Sequence, residues 1–115
     1  MRQILPRFFS VGRKSYFHGT SSSPLLGDDI GAFLNKQAHK FRSQPFIVVP
    51  REEQVEYSYE EINQRVTEVA KGLLALGLQK GQRVGVYAPN RSEWAITQFA
   101  CSRADLVLVN VNPAF

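Results

Sequence analysis

The chain has 115 residues, 43% hydrophobic and 21% charged, with one cysteine and a formal net charge of +4. That length allows one domain at most, and no run approaches the ~18 unbroken apolar residues of a membrane-crossing helix. The positive excess lies in residues 1–27, with four basic residues and no acid; residues 28–115 balance ten bases with ten acids, which argues against a nucleic-acid surface.

The leader, residues 1–27, is rich in Arg and Ser and interspersed with Phe8, Phe9, Val11, Tyr16 and Phe17. This is the composition of a mitochondrial presequence. Pro6, Arg7 and Ser10 break every apolar run that a secretory signal would need, and Pro6 delays any amphipathic turn until after it. Within the leader, Gly19-Thr20-Ser21-Ser22-Ser23-Pro24 imitates a phosphate loop, but no strand precedes it to hold its amides in a nest.

The first ordered element is expected from Asp28. Asp28 or Asp29 can cap a helix whose apolar positions are Ile30, Phe33, Leu34, Ala38 and Phe41. Lys36, Lys40 and Arg42 lie toward its C-terminus, where the dipole favours positive charge, and Pro45 ends it. Residues 46–50 and 54–59 then read as a β-hairpin around the polar turn Arg51-Glu52-Glu53, with Glu56 and Ser58 on a wet face.

Ser58 and Glu61 have capping-box spacing. Ile62, Val66, Val69, Ala70, Leu73 and Leu76 follow as one helical stripe, stopped by Gly77. Gly81 makes a second turn before a strand at 83–88. The link Pro89-Asn90-Arg91-Ser92 leads into a deeply packed helix, with Ser92 as its expected N-cap and Glu93 in its first turn. Leu106-Val107-Leu108-Val109 closes the series as a strand without polar alternation, the pattern of a strand covered on both faces. Strand, helix and strand joined by short links make a βαβ unit, so the expected fold class is α/β with a partly parallel sheet.

No catalytic, cofactor-binding or metal-ligating residue is assigned in the sequence. The link at 89–92 is not a Gly-x-Gly-x-x-Gly turn. An anion at Arg91 and Ser92 is conceivable, but a helix cap beside a solvated arginine accounts for both. Cys101 reads as a small buried hydrophobe, with no His or second Cys nearby in sequence to activate it. His18 falls in the leader and His39 on a helix surface.

From about Tyr57 the chain resembles the adenylate-forming acyl-CoA synthetases, the AMP-dependent synthetase/ligase family, and in particular their mitochondrial medium-chain branch. The residues that carry this are Tyr57-Ser58-Tyr59-Glu60-Glu61-Ile62, Gly77-Leu78-Gln79-Lys80-Gly81-Gln82-Arg83-Val84, Pro89-Asn90-Arg91-Ser92-Glu93-Trp94 and Val109-Asn110-Val111-Asn112-Pro113-Ala114. Two positions depart from the family pattern. Gln82 stands for the usual Asp, at the expense of a turn or surface interaction. Asp105 stands for the usual Gly, where a positive φ is expected at a helix end.

The resemblance implies that residues 28–115 form the beginning of a large N-terminal domain. It implies a ligase that activates a medium-chain fatty acid with ATP and Mg²⁺, then passes the acyl group to coenzyme A in the mitochondrial matrix. The family's phosphate loop and its catalytic lysine have no counterpart in these residues. Phe115 falls partway through the family domain, so the expectation is an inactive fragment that binds no cofactor. A truncated, non-catalytic binding or interaction module of α/β fold is the alternative. So is a chain that pairs with a longer partner through its open strand.

Overall fold

A computed structural model describes Gly19, residues 22–50 and residues 55–114. Its elements run α1 (Ile30–Phe41), β1 (Pro45–Val49), β2 (Val55–Ser58), α2 (Tyr59–Ala75), β3 (Arg83–Tyr87), α3 (Ser92–Arg103) and β4 (Val107–Val111). The expected α/β order is present. The strands form two separate pairs, β1–β2 antiparallel and β3–β4 parallel. Arg51, Glu52 and Glu53, the expected hairpin turn, lie outside the described residues, as does nearly all of the leader.

Of the two candidate caps for α1, Asp29 is the one used. Its Oδ1 accepts from the Ala32 amide at 2.7 Å, while Asp28 pairs with Lys36 Nζ at 2.6 Å. The buried stripe of α1 is Gly31, Leu34 and Ala38; Ile30 and Phe33 of the expected stripe face outward. The reason is a close helix contact, since a Cβ on Gly31 would lie 3.2 Å from the Arg103 Cα on α3. That approach rotates the flanking residues away from the core.

The start of α2 is secured at each of its first three amides, which have no partner within a helix. Tyr59 N donates to Gln44 O and Glu60 N to Arg42 O, both at 3.0 Å. Glu61 N donates to Ser58 Oγ at 3.3 Å, and Glu61 Oε2 accepts from the Ser58 amide at 2.8 Å, completing the capping box. The α1–β1 turn and the α2 N-terminus therefore hold each other. Ile62, Val66 and Ala70 are buried, and Val69 and Leu73 pack against them, as the stripe requires. Leu76 departs from it: it is the C-cap residue, beyond the last turn, and is 81% exposed.

Gly77 and Gly81 take φ values of 90° and 81°, which glycine adopts without steric cost. Between them and β3, Gln82 Oε1 accepts from the Gln79 amide at 2.8 Å. The expected loss of a turn interaction at Gln82 is thus not found; the longer side chain still supplies an acceptor.

Ser92 is not the N-cap of α3. Arg91 occupies that position, in extended backbone, and Ser92 is the first helical residue and buried. Ile96, Ala100, Cys101 and Ala104 enter the core from α3, joined by Leu34 from α1, the α2 stripe and Leu106. An aromatic seam extends this core to the hairpin. The register shifts between Pro45 and Ile47, and the Phe46 ring lies 4.6 Å from Tyr59 and 5.7 Å from Phe99.

Strand β4 runs parallel to β3 in unbroken register from Arg83–Val107 to Tyr87–Val111. Val84 and Leu108 face the helices. Val107, Val109 and Val111, with Tyr87 beside them, are 46%, 42%, 43% and 63% exposed. The run 106–109 is therefore covered on one face only among the described residues, not on both.

Candidate functional site

Several recesses mark the surface of the described residues, and three of them bear on chemistry. The apolar one, about 400 Å³, lies where α1 meets the aromatic seam and is lined by Leu26, Ile30, Phe33, Phe46, Tyr59 and Phe99. Asp28 and Gln37 supply its polar atoms, and Asp28 is already paired with Lys36. Nothing there is placed to activate a substrate.

The second recess, about 520 Å³, is polar and centres on Arg103 at the end of α3. Arg103 Nη1 donates to the Asn63 carbonyl at 3.0 Å and to Thr67 Oγ1. Nη2 donates to Asn63 Oδ1 at 2.7 Å and to the Gly31 carbonyl at 3.4 Å. One guanidinium thus joins α1, α2 and α3, and partial burial lowers its pKa below the ordinary arginine value. An arginine remains charged through such a shift, and its donors are directed at protein acceptors. This residue is a structural pin. The sequence showed only a basic residue in the last turn of a helix, which the dipole explains without tertiary partners.

The third recess, about 280 Å³, lies between the hairpin and the β3–α3 turn, against Ile47, Val49, Asn90, Arg91, Trp94 and Ala95. Here the conceivable anion position can be judged. Glu93 Oε2 accepts from Ser92 Oγ at 3.2 Å and lies 3.7 Å from Arg91 Nε. The backbone amide of Glu93, then the Ser92 hydroxyl and Arg91, lower the Glu93 pKa below the usual 4.5. A carboxylate of the chain itself occupies the helix terminus, in keeping with a cap.

Among the described residues, Cys101 and His39 remain to be placed. Cys101 is 1% exposed and burial raises its pKa above the usual 9.0, so the thiolate is disfavoured. His39 is exposed, and His18 lies outside the described residues. Among the described residues no cluster of three His, Cys, Asp or Glu side chains could hold a metal ion. The β3–α3 turn has a proline and a buried serine where a phosphate cradle requires glycines and free amides. The residues of this turn do not fit a nucleotide phosphate or its metal.

What the segment does hold is a set of shaped turns. Asn112 Oδ1 accepts from the Ala114 amide at 2.9 Å, and Tyr87 Oη donates to the Pro113 carbonyl at 3.2 Å, fixing the turn after β4. Asp105 has φ 56°, the positive value expected from the sequence. Its amide donates to the Ser102 carbonyl at 3.3 Å and the Leu106 amide to the Cys101 carbonyl at 2.8 Å, the two bonds of a Schellman motif.

Comparison with known proteins identifies what these turns belong to. The AMP-binding enzyme family matches residues 34–115. The medium-chain acyl-CoA ligase ACSF2, mitochondrial, of Rattus norvegicus is 33% identical over 105 residues. The Danio rerio protein of the same name is 37% identical over 101 residues. These matches cover 91% and 88% of this chain but only 17% and 16% of the relatives. Among solved structures, the N-terminal domain of FACL13 from Mycobacterium tuberculosis superposes with a TM-score of 0.72 at 27% identity. It covers 76% of this chain and 22% of that domain. The Klebsiella oxytoca NpsA N-terminal subdomain, 20% identical, shares the fold with a TM-score of 0.70. The chain belongs to the AMP-binding enzyme family, with the fold that opens the N-terminal domain of its acyl-CoA synthetases.

Proposed function

We propose that this chain is the opening part of an acyl-CoA ligase whose whole protein activates medium-chain fatty acids. In that reading ATP, with Mg²⁺, and the fatty acid give an acyl-adenylate and pyrophosphate. Coenzyme A then takes the acyl group and AMP leaves. Residues 28–115 contribute a scaffold and no catalytic, nucleotide-binding or metal-binding side chain. The observation that carries the reading is the family match over 34–115 together with relatives named as medium-chain ligases. Those relatives are also named mitochondrial. With the acid-free basic leader, this supports import to the mitochondrial matrix.

Residues 34–115 substituted for the matching stretch of the rat relative provide the test. The joined enzyme is expected to form octanoyl-CoA from octanoate, ATP and coenzyme A. The 115-residue chain alone is expected to release no pyrophosphate. Turnover by the chain alone, or a folded joined enzyme that makes no thioester, would refute the proposal. Residues 1–27 fused to a fluorescent protein should direct it to mitochondria, and diffuse fluorescence would count against the leader.

A further inference from the structure

The bases of the leader end well before the first helix begins. Arg2, Arg7, Arg13 and Lys14 are the only Lys, Arg, Asp or Glu residues ahead of Asp28. A presequence works through such a basic, acid-free composition, so the signal extends as far as Lys14. From the other side, the folded unit reaches back to Leu26, which lines the apolar recess with Ile30 and Phe33. Both carboxylate oxygens of Asp28 accept from Lys36 Nζ, at 2.6 and 2.7 Å, and Asp29 caps α1 through the Ala32 amide. Residues 15–25 lie between these limits and carry no Lys, Arg, Asp or Glu. Gly19 and residues 22–25 of this stretch are exposed and lie in no helix or strand.

We propose that the leader is removed by a single cut between Lys14 and Leu26, so that the mature chain starts at one of residues 15–26. The step is a hydrolysis. Water adds across one peptide bond, the released leader keeps the new carboxylate, and the mature chain gains the new amine. The limits follow from what each product must keep, since tolerance to truncation is set by burial and hydrogen bonding rather than by position. A cut before Lys14 would leave part of the signal on the mature chain. A cut after Leu26 would take away a wall of the recess, and one after Asp28 or Asp29 would remove the ion pair and the cap that begin α1. A cut within the limits leaves ten basic and ten acidic residues, so the formal charge falls from +4 to zero. The attraction to anionic surfaces that accompanies net positive charge departs with the leader. The partner is a peptidase that reads basic side chains, the charged groups by which this leader can be held. The placement rests on the import reading above and adds to it where the leader ends.

The test incubates the purified 115-residue chain with a mitochondrial matrix extract and reads the new N-termini by mass spectrometry. The main product is expected to start at one of residues 15–26. Replacing both bases nearest the cut, Arg13→Gln with Lys14→Gln, should slow its appearance at least tenfold. Lys71→Gln, on the exposed side of α2, should leave the rate unchanged. No cleavage, a main product starting at or before Lys14 or after Leu26, or equal rates for the two variants would each overturn the proposal. The extract requires no import, so the two readings fail separately. A chain that the extract cuts within the limits, but that isolated mitochondria do not take up, would refute the import reading alone.

Discussion

Replacing Asp105 with glycine tests the turn that delivers the chain from α3 to β4. Asp105 sits at φ 56°, immediately before Leu106, which is 7% exposed and belongs to the core. Its carbonyl accepts from the Gly81 amide at 2.8 Å, and the neighbouring Val107 amide donates to the Gln82 carbonyl at 2.8 Å. The α2–β3 loop is thereby fixed to the same turn, so relaxation of φ would disturb both loops. In this region a Cβ costs ~1–2 kcal/mol, with Asp at the low end because its short polar side chain tolerates the conformation.

Glycine removes that cost but surrenders the Lys80–Asp105 pair. The pair is 3.0 Å long with both side chains largely exposed, which limits its contribution to a few tenths of a kcal/mol. Added unfolded-state entropy takes back a few tenths more. The net expectation is about 0.5 kcal/mol of stabilisation, or roughly 2–4 °C in melting temperature for a domain of this size. Thermal and urea unfolding followed by circular dichroism at 222 nm would measure it. Asp105→Ala should fall below wild type, since it keeps the Cβ and loses both the ion pair and the polar tolerance. A glycine variant at or below wild type, with alanine at or above it, would show that the left-handed backbone costs nothing here.

Other substitutions probe the helix contacts. A Cβ on Gly72 meets nothing within 4 Å, so Gly72→Ala should stabilise the chain by about 0.5–1 kcal/mol through helix propensity. Gly31→Ala should fail to deliver that gain, because its Cβ would meet the Arg103 backbone at 3.2 Å; urea midpoints of the two variants decide the matter. Arg103→Ala removes the guanidinium that donates to Asn63, Thr67 and Gly31. A loss of roughly 2–3 kcal/mol is expected, because the partly buried acceptors forfeit charge-assisted bonds. Arg103→Lys should recover only part of it, as an ammonium cannot span the same fork. Glu61 has its pKa lowered from 4.5 by the Ser58 backbone and hydroxyl bonds. Its capping contribution is therefore complete above that pH and is lost as pH falls through the lowered folded value. Glu61→Gln should flatten this part of the acid titration of helicity, and an unchanged profile would remove Glu61 from it.

Sequence order was a good guide wherever a local rule decides the outcome. The Ser58–Glu61 box, the glycine turns at 77 and 81 and the positive φ at Asp105 are each dictated within a few residues. Tertiary contacts decided the rest. Gly31 has no side chain to count toward the α1 stripe, yet it is where α1 approaches the Arg103 backbone closely. Ser92 had the chemistry of an N-cap, yet the helix begins one residue earlier in register and buries it. Arg103 had the appearance of an ordinary terminal base, because no local pattern reveals that its partners lie on two other helices.

These outcomes explain how a segment with no assigned chemistry can still be recognised as part of an enzyme family. The residues that carry the resemblance perform folding tasks here. Ser58 and Glu61 start α2, Gly77 and Gly81 turn the chain, Gln82 ties its loop, and Asn112 with Tyr87 holds the turn after β4. A turn of defined φ or a reciprocal cap admits few residue types, so such positions retain a readable pattern whatever chemistry the whole protein performs. Specificity for an acyl chain has no such signature in these residues. A substrate preference must therefore be measured by turnover, whereas the Asp105 and Glu61 experiments are read from folding alone.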